Sequence, residues 1–204
     1  MTQLNPAQRR IHKAAMHLFA EKGVTQLNIS DLAQEAGVAR GTIYNNVETM
    51  EQLFEQVASQ LSMEMHQRIS KSFVGLDDPA ERLANGIRFF IRRTHEEPQW
   101  GTFLNRFALS NASLREMFYS QATVDLLTGL RSERYRFRQE QLPTVISLIA
   151  SATLGSMFLV IEGIKTWRDA GSETAELVLR ALGISEEEAR KLATTELPPL
   201  PALD

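Results

Sequence analysis

The chain has 204 residues, enough for one ordinary domain or a small domain fused to a larger one, and its 43% hydrophobic content can fill a real core. Cysteine is absent, which removes disulfide frameworks, thiolate metal sites and cysteine nucleophiles and fits a reducing cytoplasm, the expected location. A net charge of −3 is unlike that of a non-specific nucleic-acid binder.

Arg9, Arg10, His12 and Lys13 interrupt any apolar run near the N-terminus, so no secretory leader is expected there. Residues 6–22 are predicted as a first helix, with Pro6 near its start and Ile11, Ala14, Ala15, Leu18 and Phe19 on one face. From Leu27 to Leu53 the pattern changes to two short helices around a tight turn. Asn28 is placed to cap the first, with Asp31 at capping-box spacing, and Ile29, Leu32, Ala33 and Ala36 recur at helical intervals. Gly37 suits the left-handed backbone of a helix-to-helix turn. The next helix, Arg40 to about Val47, is too short to stand alone. Its outward side chains Arg40, Thr42, Tyr44, Asn45 and Asn46 are an odd choice for mere solvation. The layout is that of a helix-turn-helix, whose second helix enters the DNA major groove, with an ordinary helical hairpin as the alternative.

A long helix from about Thr49 to Ser72 carries Leu53, Val57, Leu61, Met65 and Ile69 at four-residue steps. Asp78-Pro79-Ala80-Glu81 starts the next, which continues as one stripe to His95. A shorter segment bears Trp100, Phe103, Leu104 and Phe107, and Ser113-x-x-Glu116 is expected to cap a helix that precedes the basic run Arg131 to Arg138. Pro143 opens the most apolar helix, expected to reach about Arg168 and uncharged from Val145 to Ile161. That run is short of the ~20 residues of a membrane span, and it holds Ser147, Ser151, Thr153 and Ser156, so no membrane is expected as a partner. Ser172 is expected to cap a further helix that Gly183 stops, and Ser185-x-x-Glu188 a last short one. The tail Leu197-Pro198-Pro199-Leu200-Pro201 reads as extended or disordered.

Four signals in order make Gln8 to Phe54 resemble the N-terminal domain of the tetracycline-repressor (TetR) family of bacterial regulators. They are Ala14-Ala15 through Leu18-Phe19 to Gly23, Leu32-Ala33-Gln34-Glu35-Ala36-Gly37-Val38, Gly41-Thr42-Ile43-Tyr44, and Glu51-Gln52-Leu53. Four positions depart from the family pattern. Ala39 stands where a serine cap is usual, Ser30 where a base is frequent, Val47 where an aromatic locks the recognition helix, and Met50 where a phosphate-contacting lysine is common. These changes leave the fold intact and weaken the expected backbone grip. Residues 1–52 also hold five bases and five acids, a balance that argues against DNA binding unless placement rescues it; four of the bases lie on the first helix and Arg40 starts the recognition helix.

The resemblance implies an all-α protein: a three-helix DNA-reading domain, residues 1–52, then a bundle for effector binding and dimerisation, residues 53–204. The expected DNA-contacting set is Asn28, Ser30, Arg40, Gly41, Thr42, Tyr44, Asn45 and Asn46, acting on a roughly palindromic double-stranded operator. The homodimer is expected to form through the last two long helices, with Val145, Leu148, Ile149, Ala152, Gly155, Ser156, Leu159, Leu177, Val178 and Ala181 at the seam. A small apolar or amphipathic effector is expected among His66, Phe89, Phe90, Trp100, Phe103, Asn105, Arg106, Phe107, Phe118, Met157, Phe158 and Glu162, although core packing accounts for most such aromatics. Asn85 and Arg88 are further polar candidates there.

No cofactor, metal or catalytic residue is expected. His12, His17, His66 and His95 form neither H-E-x-x-H nor Glu-x-x-His, and neither G-x-S-x-G nor a P-loop is present. The remaining alternative is a helical dimeric ligand-binding or scaffold protein that no longer reads DNA.

Overall fold

The computed structural model describes residues 4–202, so the outermost ends of both expected domains, 1–3 and 203–204, lie outside the described residues. Among the described residues the chain is all-helical, and side chains close the first turn of most helices. α1 (Pro6–Lys22) opens on a reciprocal cap: Gln8 N donates to Asn5 Oδ1 at 2.9 Å and Asn5 N to Gln8 Oε1 at 3.0 Å. α2 (Ile29–Ala36) and the five-residue α3 (Arg40–Tyr44) follow. α4 (Met50–Ser72) starts where Thr49 Oγ1 accepts from Gln52 N, and α5 (Pro79–Glu96) where Asp78 Oδ1 accepts from Ala80 N. Pro98 breaks α5 from α6 (Pro98–Phe107). α7 (Ala112–Arg131), α8 (Leu142–Ile161), α9 (Trp167–Ala181) and α10 (Glu186–Thr194) complete the bundle.

Several boundaries differ from the sequence expectation. Asn111, not Ser113, caps α7, its Oδ1 accepting from Leu114 N at 3.0 Å. The apolar helix ends at Ile161, because Gly163 takes φ +68° and turns the chain. Thr166 then caps α9, accepting from Asp169 N, so Ser172 lies inside that helix and donates back to Arg168 O. α3 stops at Tyr44 rather than Val47, and the side chain of Asn46 donates to Thr42 O at 2.8 Å. Asp31 completes no capping box; its carboxylate takes Lys22 Nζ at 2.7 Å instead. The proline-rich tail is docked: Arg68 donates to Pro201 O and Leu200 O, and Leu197 and Leu200 pack against the core.

α5 is the hub of the body, packing most heavily on α9 and also on α6, α7, α8 and α10. α1 rests on α2, α4 and α6, so the head and body share one continuous core. An aromatic chain marks the joint. Phe54 on α4 meets Phe19 of α1 at 5.3 Å edge-on, Phe107 at 4.9 Å and Phe103 at 5.6 Å. α8 is long and apolar enough to cross a membrane by length and composition; Ile146, Ile149, Ala150, Thr153, Leu154, Ser156 and Met157 are buried in the bundle, and the rest of the helix is half-buried or exposed.

Candidate DNA-reading head and effector cavity

The turn between α2 and α3 is built locally. Asn28 Oδ1 accepts from Asp31 N at 3.0 Å, and Gly37 adopts φ +61°, ψ +41°, sending its N–H back to Ala33 and Gln34 carbonyls. No side chain or backbone atom lies near a Cβ built at Gly37, so backbone strain alone selects glycine there. α3 contributes one anchor to the core, the fully buried Ile43. Its other residues face out. Arg40, Gly41, Tyr44 and Asn45 are exposed, and Tyr44 keeps 66% of its surface open with no partner ring. An aromatic residue this open on a short polar helix suits a nucleic-acid surface better than water.

An ion pair and a hydrogen bond brace α2 against α1: Lys22 Nζ to Asp31, and His17 Nδ1 with Glu35 Oε1 at 2.7 Å. Lys22 is thereby held in the head, and Arg9 donates to Leu4 O. Arg9, Arg10, Lys13 and Arg40 have no ion pair among the described residues. The zero net charge of the head thus conceals an uneven distribution. Ser30 is exposed, Val47 and Met50 pack partly on the core, and Ala39 has cap-like backbone angles but forms no side-chain cap. Asn46, turned onto Thr42 O, serves as a helix-end lock in the free protein.

A cavity opens in the body between the C-terminal end of α4 and helices α5, α7 and α8. α4 supplies Ile69 and Phe73; α5 supplies Arg82, Leu83, Gly86, Ile87 and Phe90. α7 contributes Met117, Phe118, Gln121, Ala122 and Asp125, and α8 contributes Ile149 and Thr153. The cavity volume is about 50 Å³, within about 420 Å³ of atom-free space that includes its mouth. One end is aromatic, with Phe90 stacked on Phe118 at 4.5 Å. The other end is polar. Arg82 Nε sits 2.9 Å from Asp125 Oδ1, but the geometry fails as a hydrogen bond and leaves that Nε–H unsatisfied. Gln121 Nε2 donates to the same Oδ1 at 3.2 Å. Burial pushes the Asp125 carboxyl up to about 6, against the pull of Arg82 and Gln121.

Of the twelve residues expected around an effector, Phe90 and Phe118 line this cavity. Trp100, Phe103 and Phe107 instead bolt α6 to its neighbours, because their faces meet Phe54, Phe90 and Arg93 rather than a void. Arg106 reaches the head, where its Nη1 donates to Ala20 O at 3.0 Å and Glu21 O at 3.1 Å. Phe89 is core beside Phe73, Met157 is buried elsewhere, Asn105 donates to Gly101 O, and His66, Phe158 and Glu162 face outward. Asn85 and Arg88 bond to each other, and Arg88 also donates to Thr195 O at 2.7 Å. Sequence reasoning missed Phe73, Arg82, Gly86, Gln121 and Asp125. A signal existed: Arg82, Gly86 and Phe90 step by four, as do Gln121 and Asp125, and Asp125 is a lone acid in an apolar run.

The expected dimer seam divides in the same way. Ile149, Ser156 and Val178 are buried within the protomer, with Ser156 Oγ against Thr174 Oγ1 at 2.5 Å. Leu148, Gly155, Leu177 and Ala181 are exposed, and Val145, Ala152 and Leu159 are half-buried.

The head has the geometry of a DNA-binding transcriptional regulator. Residues 11–57 match the family described as bacterial regulatory proteins, tetR family, and residues 78–195 the tetracyclin repressor-like C-terminal domain; the chain belongs to the TetR family. Among solved structures it is similar to RolR in complex with resorcinol, 26% identical over 96% of each chain with a TM-score of 0.73. RolR without ligand is 28% identical over 95% of this chain and 100% of that one, with a TM-score of 0.67. FadR from Bacillus subtilis in complex with stearoyl-CoA, 20% identical over 87% and 99% with a TM-score of 0.70, shares the fold. No curated protein matches the chain by sequence. Members of this family are generally non-enzymatic, cytoplasmic DNA-binding proteins.

Proposed function

We propose that the chain is a homodimeric repressor, released from a roughly palindromic operator when a small apolar or amphipathic effector enters the body cavity. The observation that carries this reading is the course of α4. It begins at Met50, directly after the recognition segment, and ends at Ile69 and Phe73 in the cavity wall. A ligand that displaces those two side chains acts on the helix that holds the reading head. The functional division at 52/53 therefore lies inside a continuous helix, which suits transmission between an effector unit and a reading unit. RolR, bound to resorcinol, and FadR, bound to stearoyl-CoA, lend support from relatives of the same fold.

In the dimer, Leu148, Gly155 and Leu159 of α8 and Leu177 and Ala181 of α9 would meet their copies, and Gly155 allows close approach. Two heads would then sit on successive turns of one DNA face. Arg40, Thr42, Tyr44 and Asn45 would read or position the duplex, with Asn28, Ser30 and Gly41 flanking them; Asn46 contributes only after leaving Thr42 O. Linkage requires that DNA weaken effector binding by the factor by which effector weakens DNA binding.

The test is fluorescence-anisotropy titration against a fragment of the upstream region, beside a Tyr44→Ala, Asn45→Ala double variant. Specific binding that the variant loses, with a shallow salt dependence from few phosphate contacts, is the expected result. Binding by the double variant equal to that of the wild-type chain rejects the assignment of α3. Binding no tighter than to random DNA at any promoter of a genomic fragment library would favour a scaffold that has lost DNA reading.

A further inference from the structure

The polar end of the cavity sets an acid and a base side by side. Asp125 is 3% exposed, its Oδ1 is engaged by Gln121, and its Oδ2 accepts no hydrogen bond among the described residues. Across from it the Arg82 guanidinium lies over the Phe73 ring at 5.1 Å and makes no hydrogen bond among the described residues. Paired with each other at 2.9 Å through Arg82 Nε and Asp125 Oδ1, the two still leave Asp125 Oδ2 and the Arg82 N–H groups without a hydrogen-bond partner among the described residues, which suits a group that donates and accepts at once. A carboxylate ligand meets Arg82 favourably but is pressed against the Asp125 carboxylate. An ammonium ligand has the reverse conflict with Arg82. A neutral hydroxyl satisfies both, donating to Asp125 Oδ2 and accepting from an Arg82 N–H.

The rest of the cavity sets size and shape. Phe90 and Phe118 stack at its far end, Phe73 and Ile87 flank it, and Gly86 leaves a flat strip of helix backbone between them. At about 50 Å³ the cavity is smaller than the ~150 Å³ that houses a benzene ring, so a single small ring enters only as Ile69 and Phe73 give way. A long acyl chain does not fit that space. Resting on the effector reading above, we infer that this cavity selects a small, uncharged aromatic ring carrying a hydroxyl, a phenol, oriented by Asp125 and Arg82 with its ring against Phe90 and Phe118.

Calorimetric titration of the full chain with phenol, benzoate, benzylamine and toluene tests this. Phenol is expected to bind at least about tenfold more tightly than each of the other three. In an Arg82→Met, Asp125→Leu double variant the order of phenol and toluene should reverse, because apolar replacements of both charged partners leave nothing for the hydroxyl to bond. Gly86→Val provides a check independent of the ion pair. A Cβ at Gly86 meets only Phe73 Cζ, at 3.9 Å, so the helix should accept the side chain while the cavity loses its ring site and phenol binding. Benzoate or benzylamine binding as tightly as phenol, phenol affinity unchanged in the double variant, or no ring binding to the wild-type chain would each overturn the inference. Failure of the effector reading has a different signature. Phenol would then bind as expected, yet operator affinity measured by anisotropy would not change when the cavity is full.

Discussion

Asp125 is an acid in an apolar wall, and its titration makes a prediction independent of any ligand. Its folded value of about 6 lies above the ~3.9 of an unfolded chain. Between those values the folded protein keeps a proton that the unfolded chain has released. The stabilisation is complete below the unfolded value and is lost as pH rises through about 6. Arg82 faces Asp125 from α5, Gln121 from its own helix, and the buried Tyr135 is close enough to feel its charge, with Asp78 and Arg134 acting on that tyrosine in turn. Urea midpoints of the wild-type chain, referred to Asp125→Asn, should therefore decline from pH 4 to pH 7; a pH-independent difference would contradict the burial argument. Arg106 carries a second prediction at this scale. Its two hydrogen bonds to Ala20 O and Glu21 O satisfy carbonyls at the end of α1, beside Gly23, which is held at φ +82°. Arg106→Ala should cost about 1 kcal/mol after discount for its exposure, read as about 2–4 °C in Tm. An unchanged Tm would mean that the contact contributes nothing to holding the head on the body.

At the level of elements, α3 is the weakest helix and the most consequential. Five residues cannot sustain a helix by propagation, so Ile43 and the Gly37 turn hold it in place. Ala39 already has the extended backbone of an N-cap, φ −67° and ψ 149°, without the oxygen to use it. Ala39→Ser should supply that acceptor and raise stability by about 1 kcal/mol, visible in thermal unfolding as a Tm gain of about 2–4 °C. A Tm that stays put or falls would show that the α3 entrance has no unmet cap. The same element reasoning explains where boundaries moved. Ser113 and Ser172 have the right spacing for caps, but Asn111 and Thr166 come first in the chain and take the free N–H groups, leaving both serines inside helices already begun. Which of two capping residues wins depends on where the preceding turn delivers the chain, and spacing does not record that.

For the whole molecule, the exposed strip on α8 and α9 is the feature a single protomer leaves unexplained. Leu148 keeps 51% and Leu177 62% of its surface open, on two helices otherwise anchored in the core. If they form the proposed dimer seam, a Leu148→Glu, Leu177→Glu double variant should sediment as a monomer with unchanged helical circular dichroism, since neither side chain supports the protomer. A variant that remains dimeric would place the seam elsewhere.

Much of this protein is local chemistry and was legible in order along the chain. Asn28, Asp78 and Ser185 cap helices because a short polar side chain reaches the free N–H groups of its own first turn. Gly37 and Gly183 end helices because a positive φ is a property of one residue. The reading head is nearly all of this kind, so its motif and its family follow from the sequence alone. The body depends on which helix faces meet. Phe103 and Phe90 look alike in a stripe of aromatics, yet one joins Phe54 at the head and the other lines a cavity. Arg82 and Asp125 become a site only when α5 crosses α7, and Val178 and Leu177, adjacent in the chain, point to the core and to solvent. Helical periodicity says that a residue lies on an apolar face; only packing decides whether that face closes on a core, a ligand or a second copy of the chain.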